Sequence, residues 1–219
     1  MTTDTNPNLK EARHHGTNAF PCGTYHTVCQ KRGMLVKHHW HEEIEIIHFI
    51  NGHFRLIINM EVYEIKEECI FFIQPLELHA ITIVSGNEAT EDAIVFLPSM
   101  LSFDSYDHAQ LHLIQPLINH ELSFPRKLTP DHLAYSDILK TFSTIVSSFE
   151  SYDHLEPQSV QTEDVSAQLT IKASLLTMLS ILSKFTLFQK ADITSDKRID
   201  FIKAALLYIK EHYREKIYL

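Results

Sequence analysis

The sequence predicts a mainly β plus α protein: an antiparallel sandwich or barrel in the first half, helices in the second. Three observations carry this. Between about residues 24 and 97, short apolar or alternating runs rich in Ile, Val and Phe follow one another with turn residues between them, which is the pattern of strands. After about Pro98 the apolar spacing switches from two to the 3.6 of an amphipathic helix. No helix-period segment interrupts the strand-rich part.

Taken in order, residues 1–18 are polar and are expected to form a mobile arm. Strands are expected over 24–30, 43–50, 53–58, 62–65, 69–73, 79–84 and 93–97. Their separators are turn formers: Asn51 with Gly52, Asn59, Gln74 with Pro75, and Ser85, Gly86 and Asn87. Such close, regular spacing suits a barrel over 19–100. A first helix over 105–114 should stop before Pro116, because proline inside a helix breaks the bonding ladder. A second starts at Thr129, Pro130 and Asp131, a cap followed by proline at the first helical position. Its stripe is Ile138, Phe142, Ile145 and Phe149. A third, from about 162 to 189, carries Leu169, Leu176, Leu179, Leu182 and Phe185. These last two are long enough to form a helical hairpin, so 101–190 reads as one helical segment. A second apolar edge on the third helix suits a partner, so a homodimer through the helices is expected. A final helix from about 195 to 213, within 191–219, presents Ile199, Ile202, Leu206, Ile209 and Tyr213 on one face.

Composition narrows the classes. With 219 residues and 44% apolar content the chain can bury a sizeable core. Its 19 basic and 28 acidic residues give a formal charge of −9, which argues against nucleic-acid binding by bulk electrostatics. Three cysteines, Cys22, Cys29 and Cys69, form no CxxC pair and suit a reduced compartment. No signal-peptide core stands at the N-terminus, and no uninterrupted apolar run reaches the roughly 18 to 20 residues of a membrane span. The expectation is a cytoplasmic protein without a membrane partner. His14 and His15 read as a solvated pair, Cys69 as a small core residue, and Asp131 and Asp137 as solvated charges on a helix.

The chemistry concentrates in Gly33-x5-His39-x-His41-x3-Glu45-x6-Gly52, with His79 downstream. Residues two apart on a strand share a face, so His39, His41 and Glu45 are expected side by side on one strand, with His79 on a neighbour. Three imidazoles and a carboxylate suit a divalent transition metal such as zinc or nickel. Catalytic metal, structural metal and a metal-free polar pocket all remain open. By the same parity Ile47 and Phe49 face inward, Gln74 stands at the rim, and His38 and His48 lie on the opposite face.

The Gly33 to Gly52 segment resembles, position for position, the first conserved motif of the cupin family. The second cupin motif is poorer: its glycine, proline, second glycine and asparagine fall on Glu68, Gln74, Leu76 and Ile83, and only His79 is kept. More of the chain resembles an AraC-type transcriptional regulator. The resemblance rests on HHWHEEIEIIHFINGHFRLIINMEVYEI, on Leu117 with Ile118 and Phe124 with Pro125, and on the closing SDKRIDFIKAALLYIKEHYREKIYL. It implies a cupin-like double-stranded β-helix or jelly-roll sensor barrel, followed by a helical dimerisation segment. The closing segment resembles the first helix of a C-terminal helix-turn-helix module, which would continue beyond Leu219 and alone contact DNA. A small polar effector, such as a sugar, would bind near His39, His41, Glu45, Ile47, Phe49, Gln74 and His79, with no cofactor required. The alternative is a metal-dependent cupin enzyme, an isomerase or dioxygenase, using His39, His41, Glu45 and His79.

Overall fold

The computed structural model describes residues 9–149 and 164–191, together with Tyr208 and His212. Its first part is an antiparallel jelly-roll barrel of the expected class, built from β1 (Cys22–Cys29), β2 (Gly33–His39), β3 (Ile44–Ile58), β4 (Glu61–Ile65), β5 (Cys69–Ile73) and β6 (His79–Phe96). Two long strands organise it. β6 pairs with β1, β2 and β3, while β3 also pairs with β4 and β5.

The length of β3 and β6 departs from the sequence expectation. Asn51 and Gly52 do not end a strand, and β6 runs through Ser85, Gly86 and Asn87. The β3–β6 register shifts instead, from Asn51 opposite Thr90 to His53 opposite Ser85. Turn-forming residues here make an irregularity in a continuous ladder, which bends the strands as a β-bulge does. The shift also exchanges parity. Ile47 and Phe49 face the barrel interior on one side of it, and Phe54, Leu56 and Ile58 on the other.

Alternation along these strands divides the core in two. Ile47, Phe49, Phe54, Phe71, Ile73 and Ile81 pack inside the barrel. Ile44, Ile46, Ile70, Phe72, Ile94 and Phe96 face outward, where helices cover them. The covering segment turns helical at residue 108, widens into a π-helical turn, Gln110–Ile114, and continues as α1 (Gln115–Ile118). The expected stop before Pro116 is therefore not observed. Pro116 lies within a helical run that is continuous from residue 108 to 118, directly after a widened turn in which Gln115 N–H donates to Gln110 O, the kind of local adjustment by which a helix accommodates an interior proline.

A short β7 (Leu122–Ser123) and β8 (Lys127–Leu128) lead to α2 (Tyr135–Phe149) and α3 (Val165–Lys184), and β9 (Gln189–Lys190) returns to β7. α2 starts later than Thr129, Pro130 and Asp131. Those residues form a turn in which His132 N–H donates to Thr129 O, and His132 Nδ1 accepts from Ala134 N–H. The α2 stripe of Ile138, Phe142, Ile145 and Phe149 is buried as expected, and α2 packs on α3. On α3 the buried face is Ile171, Ser174, Leu175, Met178, Leu179 and Leu182, so Leu169 is exposed rather than part of the stripe. Asp164 caps α3 by accepting from Ser166 N–H.

α3 has the length and composition of a membrane span, whereas no such run was expected. Its apolar side packs in the core beneath α2, which accounts for that character within the fold. The expected helix over 195–213 lies outside the described residues, apart from Tyr208 and His212, which are helical with rings 4.4 Å apart.

Candidate functional site

The site is assembled by three strand ends rather than one strand. His39 closes β2, His41 lies in the connection, Glu45 is near the start of β3 and His79 opens β6. His39 pairs directly with His79 across the ladder. The expectation that His39, His41 and Glu45 share one strand is thus corrected, while their convergence is retained. The imidazoles of His39, His41 and His79 offer ligand atoms all within 4.8 Å of one another.

Each ring is held by its other nitrogen. His39 Nδ1 donates to Lys37 O at 2.9 Å, His79 Nδ1 to Glu77 O at 2.9 Å, and His41 Nδ1 to Glu43 O at 3.1 Å. A carbonyl oxygen can only accept, so in the neutral ring the hydrogen sits on Nδ1 and the Nε2 lone pair is bare. Glu45 Oε2 lies 3.0 Å from His79 Nε2 and 3.5 Å from His41 Nε2. All three atoms are buried and none makes a hydrogen bond. Burial alone would raise the Glu45 pKa; protons on the facing His41 and His79 nitrogens, when present, bond to the carboxylate and hold it well below its ordinary range. Bare lone pairs facing a buried carboxylate call for a cation or shared protons between them. The donor set and its backbone supports fit a divalent transition metal, with His39, His41, His79 and Glu45 as its holders.

Beside this cluster opens a cavity of about 510 Å³. Its wall includes Tyr25 and Thr27 from β1, Leu35, Val36, His38 and His39 from β2, Glu45, and Ile81, Glu91, Ala93 and Val95 from β6. His38 is there although parity put it outside. The β2–β6 register shifts twice, between Met34 and Val36 and again before His39, so strict alternation fails. His48 does face the other way, with its Nε2 2.9 Å from Glu68 Oε1 and its ring 5.7 Å from Phe142. Ile47 and Phe49 point inward as expected but are sealed in the interior core, Phe49 against Phe54 and Phe71, and do not form the cavity wall. Gln74 is not at the rim. It bonds Phe124 at both ends, accepting from its N–H at 3.0 Å and donating to its O at 3.2 Å.

The polar segment before β1 closes the cavity on one side. Glu11 N–H donates to Trp40 O and Trp40 N–H to Leu9 O, so residues 9–11 pair beside the backbone between His39 and His41. The expected mobile arm is therefore packed against the barrel from residue 9 onward. His15 is 5% exposed, not a solvated residue. Its Nδ1 meets the Tyr25 hydroxyl at 2.5 Å and its Nε2 lies 3.2 Å from Glu11 Oε2.

Glu91 also went unnoticed in the sequence. It is 4% exposed on β6, and Oε2 has no hydrogen-bond partner. Burial pushes its pKa up to about 8, helped by the charges of Glu45 and Asp92 and opposed by a hydrogen bond from Thr27. The signal was present: Glu91 shares the parity of Ala89, Ala93 and Val95 in an otherwise apolar run. For Glu11 and His15 no periodic pattern marked the arm.

Residues 30–103 match the AraC-like ligand binding domain. That match supports the resemblance to the sensor part of AraC-type regulators. No curated protein matches the chain. Among solved structures, a protein described as a predicted oxalate decarboxylase from Thermotoga maritima is 19% identical over 33% of this chain and 64% of its own, with a TM-score of 0.31. Bacillus subtilis oxalate decarboxylase, studied for its Mn(II) centres, is 19% identical over 34% and 21%, with a TM-score of 0.31. An RmlC-like cupin family protein with a double-stranded β-helix fold from Methanocaldococcus jannaschii is 14% identical over 34% and 69%, also at 0.31. The chain spans 64% of the first of these and about a fifth of the second.

Proposed function

We propose that the chain is the effector-sensing and dimerisation region of an AraC-type transcription regulator acting in the cytoplasm. One observation carries the reading: a match to the AraC-like ligand binding domain falls on strands that enclose a polar cavity of about 510 Å³. A cavity of that size suits a small metabolite. Glu91 held as a neutral acid can donate a hydrogen bond, while Thr27, Tyr25 and the histidines add polar contacts. This suits a polyhydroxylated compound such as a sugar, and His39, His41, Glu45 and His79 are its proposed contacts together with Glu91. Occupancy would shift the balance between two placements of the arm or helices. DNA contact belongs, in this reading, to a helix-turn-helix module whose first helix residues 191–219 resemble. Homodimerisation would use α3, where Val165 and Leu169 stay exposed; light scattering at high micromolar concentration should give twice the chain mass, and a strictly monomeric mass contradicts it.

The experiment for sensing is a thermal-shift screen of sugars and other polar metabolites. A true effector raises the melting temperature of the native chain but not of Ala93→Trp, which fills the cavity. Equal shifts in both would place binding elsewhere.

A second reading, a metal-dependent cupin enzyme, is favoured by the convergence of bare Nε2 atoms on Glu45. A metal there would act as a Lewis acid on a bound substrate. This chain's residues would hold it through His39, His41, His79 and Glu45, and Glu91 would hold a proton at the cavity wall.

A further inference from the structure

Glu11 brings a carboxylate to this cluster from the segment before β1. Its Oε2 stands 3.3 Å from His39 Nε2 and 3.2 Å from His15 Nε2. Glu11, His15 and His41 form a second group whose ligand atoms lie within 4.8 Å of one another. His41 belongs to both groups, and its Nδ1 is committed to Glu43 O. It therefore has one free lone pair, and a single cation must serve both groups. A carboxylate oxygen 3.3 Å from His39 Nε2 has the spacing of two groups that could share one cation, while His15 Nε2 donates to the same oxygen and positions it.

The backbone gives this contact a consequence. Residues 9–11 pair with Trp40, the residue between His39 and His41. Docking the arm and fixing the spacing of the two histidines are one geometric act. Beside that backbone pairing the arm makes exposed side-chain contacts, among them the Lys10–Glu42 ion pair with side chains 45% and 58% exposed and Lys10 Nζ 5.4 Å from the Trp40 ring centroid, and exposed pairs add little.

We propose that the N-terminal arm supplies Glu11 as a ligand to a divalent cation held by His39 and His41, so that cation binding latches the arm over the cavity mouth. The cavity then opens and closes with cation occupancy. The proposal rests on the cation-capable reading of the barrel cluster and deepens the sensor reading by giving its arm a chemical latch.

The test uses the full chain, stripped of metal by a chelator and titrated with zinc chloride. Calorimetry reads affinity and amide hydrogen exchange reads the Glu11 and Trp40 N–H groups. In the native chain one zinc should bind and slow exchange at both amides. Glu11→Gln should weaken zinc binding about tenfold or more, the scale of losing a contributing group at a metal site, and abolish the zinc-dependent protection. Glu42→Gln, which loosens the arm without touching the cluster, should bind zinc as the native chain does. Melting curves in chelator identify any variant that misfolds, and Glu11→Ala then serves as the second variant. Unchanged zinc affinity in Glu11→Gln overturns the latch and leaves a barrel-only cation site. An equal loss in Glu42→Gln also overturns it, since arm docking alone would then explain the effect. Failure of the native chain to take up zinc overturns both the latch and the cation site, while the effector screen still tests sensing.

Discussion

His79 Nε2 and Glu45 Oε2 stand 3.0 Å apart at the mouth of the barrel, buried, with neither making a hydrogen bond. The arrangement follows from Nδ1 of His79 being committed to Glu77 O, which leaves a lone pair facing a carboxylate. Removing either partner should therefore act on cation affinity more than on folding. His79→Ala or Glu45→Gln should lower zinc or nickel affinity about tenfold or more, read by calorimetry on chelator-stripped protein. Native affinity in both variants would show that these groups hold no cation.

Glu91 links the cavity to pH. Its folded pKa, about 8, stands above the ordinary value of 4.5, so the folded chain keeps a proton that the unfolded chain releases. The groups acting on it are Glu45 on β3 and Thr27 on β1, with the charge of Asp92, its neighbour along β6, acting from the opposite face. Its contribution to stability is fully present below about pH 4.5 and is lost as pH rises toward about 8, at up to roughly 1.4 kcal/mol per pH unit. Glu91→Gln should flatten the fall in melting temperature between pH 5 and 8. An unchanged slope would mean that Glu91 ionises normally.

Gly52, the closing glycine of the motif, has φ +116°, and a Cβ there would meet the Ala89 Cβ at 2.8 Å. Gly52→Ala should cost about 1–3 kcal/mol in denaturant unfolding, from backbone strain and crowding against β6. A loss below about 0.5 kcal/mol would show that the register shift relaxes freely.

Phe142 is 1% exposed and packs edge-on against His48, between barrel and helices. Phe142→Ala should cost about 3–5 kcal/mol by leaving a cavity while zinc affinity in the folded protein stays unchanged. Large loss of zinc affinity in the folded variant would tie the site to the helical layer.

The fold class was legible because alternation and period are local properties. The inward placement of Ile47 and Phe49 on β3 and the α2 stripe were visible as spacing alone. Strand continuity was not, because Asn51 with Gly52 and Ser85 with Gly86 have the chemistry of turns and only cross-strand pairing turns them into a shift in a long ladder. At the site, His39, His41, Glu45 and His79 could be named from the motif, yet their placement on three elements depends on the chain reversing after His39. Leu169 failed for a different reason: the α3 residues carry apolar side chains beyond one face, and packing on α2 chose Ile171 and Leu175. Glu11 and His15 act through tertiary contacts that no period announces. Gln74 looked like a rim residue only because it precedes a proline; its amide is used up by Phe124.

The reading as a sensor is tested most directly by mass balance on a compound found in the effector screen. The zinc- or nickel-loaded chain is incubated with that compound at substoichiometric protein and followed by proton NMR. A sensor binds the compound, melts at a higher temperature with it and returns it unchanged after many binding lifetimes. Conversion of the compound into product, abolished by His79→Ala, would contradict the account and make the barrel an enzyme.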